Sequence, residues 1–213
     1  MQSDLFDNDS PVLSLPMQDA CVEYIPRFLG GELADSSLQT LVSELAWRQD
    51  HIKMFGKTVK IPRLQAWYGD KEAIYTYSGL TMKPLAWTPC LLELKQMCEQ
   101  AASAKFNGVL ANLYRNEQDS MGWHADDEPE LGERPVIASL TLGEARDFDF
   151  KHKITGEKHR VRLAHGSLLI MSEETQKYWF HAISKRTKTL GLRVNLTFRF
   201  IHQLENTVIR SHL

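Results

Sequence analysis

Cysteine is scarce in this chain: Cys21, Cys90 and Cys98 are the only three in 213 residues, scattered and odd in number. No Cys-x-x-Cys spacing occurs, which argues against a zinc ribbon and against a disulfide framework. Buried free thiols in a reducing compartment are the expectation. Long apolar runs are missing too, and nothing approaches the length that crosses a bilayer, so no membrane partner is expected. The first residues carry Asp4, Asp7 and Asp9 where a secretory leader would be basic and then apolar. Charge of one sign is also lacking: the net charge of −2 gives no global basic field of the kind that marks many nucleic-acid binders. What remains, at 43% hydrophobic and 24% charged residues, reads as one ordinary globular domain with a substantial core. A cytoplasmic monomer is expected.

Residues 1–19 are polar, contain proline and show no period, and read as a flexible N-terminal tail; residues 20–213 read as a single domain. Cys21–Ile25 alternates weakly, as a short strand would. Ser36-Ser37-Leu38-Gln39 has capping-box spacing, and Leu38, Leu41, Val42, Leu45 and Ala46 form an apolar helical stripe. Thr88-Pro89 opens a second helix, with Thr as N-cap and Pro at the first helical position. Between the helices, Gly56 marks a turn joining two short segments, with Phe55 at the tip and Lys53, Lys57, Lys60 and Arg63 around it. Tyr75 and Tyr77 stand two apart on one face of a strand. From Val109 the chain is strand-rich: 109–114, 136–142, 146–151, 160–164, 167–171 and 192–201, punctuated by Gly143, Gly156 and Gly166. Many short strands after two helices favour a sandwich or barrel backed by helices. No internal repeat or second-domain boundary is visible.

Two stretches carry chemistry. His124 and Asp126 stand two apart, so on an extended segment both point to one side and can reach one ion. His181 is the best third candidate, and two histidines with one carboxylate make a facial triad suited to a non-haem Fe(II) oxygenase. Taken alone, His-x-Asp is a weak signal, more often a solvated turn. The second stretch is 191–200, where polar and apolar residues alternate strictly. Arg193, Asn195, Thr197 and Arg199 share one face, and Val194, Leu196, Phe198 and Phe200 the other. An amphipathic strand with one wet face is the plain reading. Two arginines flanking Asn and Thr also make a good wall for a dicarboxylate, because the guanidinium fork pairs with carboxylates. They lie about 20 Å apart along an extended strand, so their side chains would converge from the two ends of a pocket.

The run from Phe106 to Phe200 resembles the AlkB family of Fe(II)/2-oxoglutarate dioxygenases. The matching elements are His124, Asp126, a distant His181, and then Arg193, Asn195, Thr197 and Arg199, in that order. The likeness extends back to about Phe55 and is greatest to the branch that repairs duplex DNA. It implies an α+β, mainly β fold: a double-stranded β-helix (jelly roll) core over about 106–201, flanked by N-terminal helices and a nucleotide-recognition lid over about 50–87. It implies Fe(II) held by His124, Asp126 and His181, and 2-oxoglutarate held by Asn112, Tyr114, Arg193, Asn195, Thr197 and Arg199, with O2 as oxidant. It implies oxidative demethylation of 1-methyladenine and 3-methylcytosine in DNA, single- or double-stranded. Substrate contacts would come from Phe55 as a wedge in the base stack, Arg63, Tyr75, Thr76, Tyr77, Asp127, Lys185 and Arg186. The compartment would follow the DNA: the nucleoid in a bacterium, the nucleus in a eukaryote. Two rivals stay open: the same chemistry on RNA, including tRNA, and a damage-binding protein without turnover.

Overall fold

The computed structural model describes residues 11–54, 57–77 and 80–203. Two antiparallel sheets face each other as a double-stranded β-helix (jelly roll). The larger has seven strands, ordered Leu13–Ser14, Cys21–Ile25, Ser167–Ser172, Ile137–Gly143, Arg193–Arg199, Gly108–Tyr114 and Leu64–Gly69. The smaller has four, ordered Lys158–Leu163, Arg146–His152, Trp179–Ile183 and Met121–His124. Two hairpins stand apart: His51–Met54 with Lys57–Lys60, and Tyr75–Tyr77 with Leu80–Met82. No helix among the described residues is long and apolar enough to cross a membrane.

The sheets and helices divide the core in two. Helices α1 (Gly31–Glu44) and α2 (Pro89–Ala102) cover the outer face of the large sheet, where Leu41, Leu91, Leu94 and Cys98 meet Val109, Ala111, Leu140, Val194, Leu196 and Phe198. Between the sheets, Phe148, Phe150, Leu163 and Trp179 pack against Tyr114, Ile137, Leu169 and Met171. The strand Arg193–Arg199 belongs to both layers. Its even-numbered side chains complete the helix-facing core, and its odd-numbered ones line the space between the sheets. The alternation suggested one wet face, but every residue of this strand is buried. At its edge Gly143 takes a φ of +88°, and an added Cβ would strike the Leu192 carbonyl, so this turn requires glycine.

Several local expectations shift. Helix α1 begins at Gly31, ahead of the Ser36 capping box, with Gly30 as an extended N-cap. The Ser36 hydroxyl bonds back to the Leu33 carbonyl and does not cap forward. Helix α2 starts where the sequence puts it, and the Thr88 hydroxyl accepts from the Leu91 N–H at 3.3 Å. Within the expected tail, Leu13–Ser14 pairs with Glu23 and Tyr24, and the Gln18 carbonyl accepts from Trp179 Nε1 at 2.8 Å. The three thiols are free, but only Cys98 is buried, and Cys21 is exposed.

At the end of α2 an acid fastens the helix to the next strand. One Glu99 carboxylate oxygen accepts from the Phe106 N–H at 2.9 Å, and Lys95 and Lys105 stand 2.9 and 3.1 Å from the carboxylate. Burial would raise the Glu99 pKa, but Lys95, the Phe106 N–H and Lys105 together hold it below the ordinary glutamate value. A depressed folded-state pKa means that the stabilisation is present above the unfolded pKa. It is lost as pH falls through the folded one. Glu99→Gln should therefore lower unfolding free energy by about 1 kcal/mol near neutral pH, and the gap from the parent should close on acidification. Urea denaturation of both proteins across the acid range measures it.

Candidate metal centre and oxoacid pocket

Strand pairing brings the two histidines together. Trp179–Ile183 lies antiparallel to Met121–His124 with His181 opposite His124, and their ring centroids are 4.2 Å apart. The strand ends at His124, and Asp126 lies in the loop that follows. Its carboxylate returns to the histidines, with Oδ1 4.0 Å from His124 Nε2 and Oδ2 4.0 Å from His181 Nε2. The candidate ligand atoms of the three residues all lie within 4.8 Å of one another. The His124 Nδ1 faces the Gly122 carbonyl at 2.9 Å, which fits a tautomer that keeps Nε2 free for the ion. His181 stacks on Phe148, with centroids 5.2 Å apart.

The electrostatics suit a divalent cation. Burial, and then the His124 ring, push the His181 pKa down to about 3. Burial also lowers that of His124. Burial would raise Asp126, but Arg199 and the two imidazoles hold it at about 2. The donor set at neutral pH is thus two uncharged imidazoles and one carboxylate, with no proton to displace before a metal binds. Arg199 Nη2 donates to both Asp126 oxygens, at 2.9 and 2.8 Å, and fixes the carboxylate from behind.

The oxoacid wall is a polar network on three adjacent strands. Asn195 stands opposite Asn112 on one side and Thr141 on the other, and Arg193 stands opposite Tyr114. The Asn195 carbonyl oxygen accepts from Ser139, Thr141 and Arg193, while its amide donates to Thr197. The amide is therefore spent on holding the wall together. Arg193 Nη2 donates to Thr141 at 2.9 Å and to Asn195 at 2.7 Å, and the guanidinium lies 5.1 Å from the Tyr114 ring. Its Nε and Nη1 are buried with no hydrogen-bond partner, and no carboxylate pairs with it among the described residues. Burial lowers its pKa to about 10. A buried cation without a counter-ion costs several kcal/mol, so the pocket is short of one anion. This orphaned guanidinium is the structural test that a carboxylate co-substrate passes here.

Other expected residues fall out differently. Arg63 is buried and not part of a surface cationic ring: its Nε donates to Asn112 at 2.7 Å and its Nη1 to the Ser120 carbonyl at 3.2 Å. It buttresses the oxoacid wall from behind. Asp127 points away from the cavity and pairs with Lys153 at 2.9 Å. The side chain on the inner side is Glu128, which sequence reading passed over. Its own backbone is extended, and it stands two residues past Asp126. Glu128 faces the Tyr75 hydroxyl; its pKa is raised by burial and then by Asp126. Tyr75 is itself buried against Trp67, with its ring 5.7 Å from the Arg199 guanidinium. Thr76 and Tyr77 lie on the same hairpin strand, opposite Thr81 and Leu80. Phe55 lies outside the described residues. Lys185 is exposed, while Arg186 pairs with Asp147 at 3.0 Å.

The lone charge of Arg193 gives a direct expectation. A short dicarboxylic oxoacid such as 2-oxoglutarate should raise the thermal midpoint of the parent protein. At a hundredfold excess over its dissociation constant the stabilisation should be about 2.7 kcal/mol. Arg193→Met should be at least as stable without ligand, because it removes an uncompensated buried charge, and should show no oxoacid-induced shift. Differential scanning calorimetry with Mn(II) in place of iron checks both.

The comparisons agree with this geometry. A model of the 2OG-Fe(II) oxygenase superfamily matches residues 21–199. The human DNA oxidative demethylase ALKBH2 is 41% identical over 179 residues, covering 79% of this chain and 69% of that protein. The human alpha-ketoglutarate-dependent dioxygenase alkB homolog 3 is 42% identical over 187 residues, covering 83% and 65%. The chain thus spans about two thirds of the length of the curated relatives it matches. Among solved structures, that of OsALKBH1 superposes with a TM-score of 0.61 at 15% identity, covering 89% of this chain and 100% of the other. A prolyl hydroxylase from Trichoplax adhaerens gives 0.58 at 13% identity, covering 84% and 83%. With its ligand triad and arginine-bearing strand inside the matched region, the chain belongs to the 2OG-Fe(II) oxygenase superfamily and, within it, to the AlkB family.

Proposed function

We propose that this protein is an oxidative demethylase of alkylated nucleobases in DNA, acting on 1-methyladenine and 3-methylcytosine for direct repair. The observation that carries this reading is the buried Arg193, which has no counter-ion and lines the same cavity as His124, Asp126 and His181. A centre with three protein ligands leaves coordination positions for an exogenous chelator, and Arg193 supplies the charge that would recognise that chelator's far carboxylate. The resemblance to DNA oxidative demethylases supports the choice of substrate.

His124, Asp126 and His181 would hold Fe(II), which with 2-oxoglutarate and O2 would supply the oxidation, converting the oxoacid to succinate and CO2 and delivering one oxygen atom to the substrate methyl. The chain's own residues position and shield. Arg193, held by Thr141 and Asn195, grips the co-substrate; Asn112 and Tyr114 complete the wall. Arg199 keeps the Asp126 carboxylate ionised and turned toward the imidazoles. Tyr75 and Glu128 offer a hydroxyl and a carboxyl beside the metal ligand, suited to the exocyclic amino group of a flipped base. Hydroxylation replaces one methyl C–H by C–OH. The C–N bond then breaks, the ring nitrogen keeps the electron pair, formaldehyde departs, and the proton goes to water. A base methylated on its pairing edge is cationic and poorly stacked, so it leaves the duplex more readily than an intact one. Lys60 and Lys185, both exposed, are the proposed contacts to the rest of the nucleic acid, with Phe55 as the proposed wedge.

The test is formaldehyde and succinate release from oligonucleotides carrying one 1-methyladenine, as single-stranded DNA, duplex DNA and RNA, after anaerobic loading with Fe(II). Both products should form in equal amounts on DNA. His181→Ala should abolish them, and Glu128→Gln should lower kcat/KM by about ten- to a hundredfold, the worth of a hydrogen bond to a charged group. Phe55→Ala should reduce activity on duplex far more than on single strands. Succinate without formaldehyde on any methylated strand, or faster turnover of RNA than of DNA, would overturn the assignment.

A further inference from the structure

Of the three ligands, Asp126 alone is not held by strand register. It lies past the end of Met121–His124, in the loop leading to the 3-10 turn Pro129–Leu131. Its side chain is fastened by Arg199, which draws on the same two oxygens that an ion would use. Its backbone is fastened by a different residue. The Asp126 N–H donates to Gln176 Oε1 at 2.9 Å, a bond buried at both ends that joins residues 50 apart in sequence.

Gln176 is well placed to fix that point. Its side chain is 2% exposed, and Nε2 faces the Met171 sulphur at 3.5 Å. It belongs to the single-turn helix α3 (Thr175–Tyr178), which runs directly into the strand Trp179–Ile183 that carries His181. The Thr175 hydroxyl ties α3 to the large sheet, donating to the Ser172 carbonyl at 2.6 Å and accepting from the Cys21 N–H at 3.0 Å. The Gln176 carbonyl accepts from Lys153 Nζ at 2.8 Å, and the same Nζ holds Asp127 at 2.9 Å. The loop 126–127 is therefore pinned at successive residues to one short helix, and that helix is pinned to the sheet behind it.

We infer that Gln176 is a positioning residue for the metal centre, a brace that sets the Asp126 backbone against the strand bearing His181. Without its amide oxygen the buried Asp126 N–H loses its partner, and the loop must shift to find another. The carboxylate is then held by Arg199 alone, and a shifted backbone carries it off the position it shares with the imidazoles. The inference rests on the triad being a metal site.

Its test reads metal binding directly. Co(II) is titrated into metal-free parent, Gln176→Leu and Gln176→Glu, followed by calorimetry and by the visible ligand-field absorption of bound Co(II). The Leu variant should bind about tenfold more weakly or worse, the usual size of an outer-shell effect, with an altered ligand-field spectrum. The Glu variant keeps an oxygen acceptor and should recover most of the affinity. A merely structural role would lower the thermal midpoint of the Leu variant and leave its Co(II) affinity and spectrum unchanged. If the Leu variant does not fold, Gln176→Met, which keeps the unbranched shape and lacks the amide, serves in its place. A folded Leu or Met variant that binds Co(II) within twofold of the parent would overturn the brace alone. So would a Glu variant as weak as Leu. A parent protein that takes up no Co(II) would overturn the metal reading and the brace with it.

Discussion

The strand Arg193–Arg199 is buried on both faces, and it can be so only because its two faces are satisfied by different physics. Val194, Leu196 and Phe198 are fully buried against the helices, where each contributes on the order of 2 kcal/mol of apolar burial. The opposite face carries two guanidinium groups into the same interior. One of them, Arg199, is neutralised by Asp126; the other, Arg193, has only neutral oxygens and an aromatic face around it. The apolar side thus holds in place a polar side that would not be stable by itself. The neighbouring strands complete the arrangement, since register fixes Thr141 and Asn112 on either side of Asn195.

From this strand the site assembles by three different kinds of restraint. Register sets His124 against His181. An ion pair turns the Asp126 carboxylate, and a long-range hydrogen bond holds its backbone. The separation of tasks explains why the ligand residues sit on short strands and loops while the arginines sit on a seven-residue central strand. The wall must be rigid to hold an uncompensated charge. The metal side needs only enough order to keep three donor atoms within reach of one point.

Legibility in the sequence followed the same division. The alternation of 193–199 was visible because period two is a local property of strands, and so was the Thr88-Pro89 start of α2. The ligand set was visible as residue types, and the i, i+2 spacing does let His124 and Asp126 reach one point, with Asp126 in the loop just past the strand. Cross-strand pairing between Met121–His124 and Trp179–Ile183 brings the histidines together, and neither short strand has a readable pattern of its own. Arg63 was misplaced because it closes a segment that carries Lys53, Lys57 and Lys60, while its partners in space, Asn112 and Ser120, lie 49 and 57 residues away. Gln176 is hidden for the same reason.

The charges of the centre explain why its parts are arranged as they are. With both imidazoles neutral, the ionised side chains lining the cavity are Asp126, Arg199 and Arg193. Asp126 and Arg199 cancel at hydrogen-bond distance, so the cavity lining is left with one positive charge, at Arg193. Water cannot disperse that charge, and the one acid lining the cavity, Asp126, is committed to Arg199. A second anionic side chain beside Arg193 would have made the apo protein more stable and the pocket useless for carboxylate binding. The fold instead leaves the charge unanswered and surrounds it with hydroxyls and amides that orient the guanidinium without neutralising it. The stabilisation given up in the empty state is the part of the binding energy that an incoming dicarboxylate recovers.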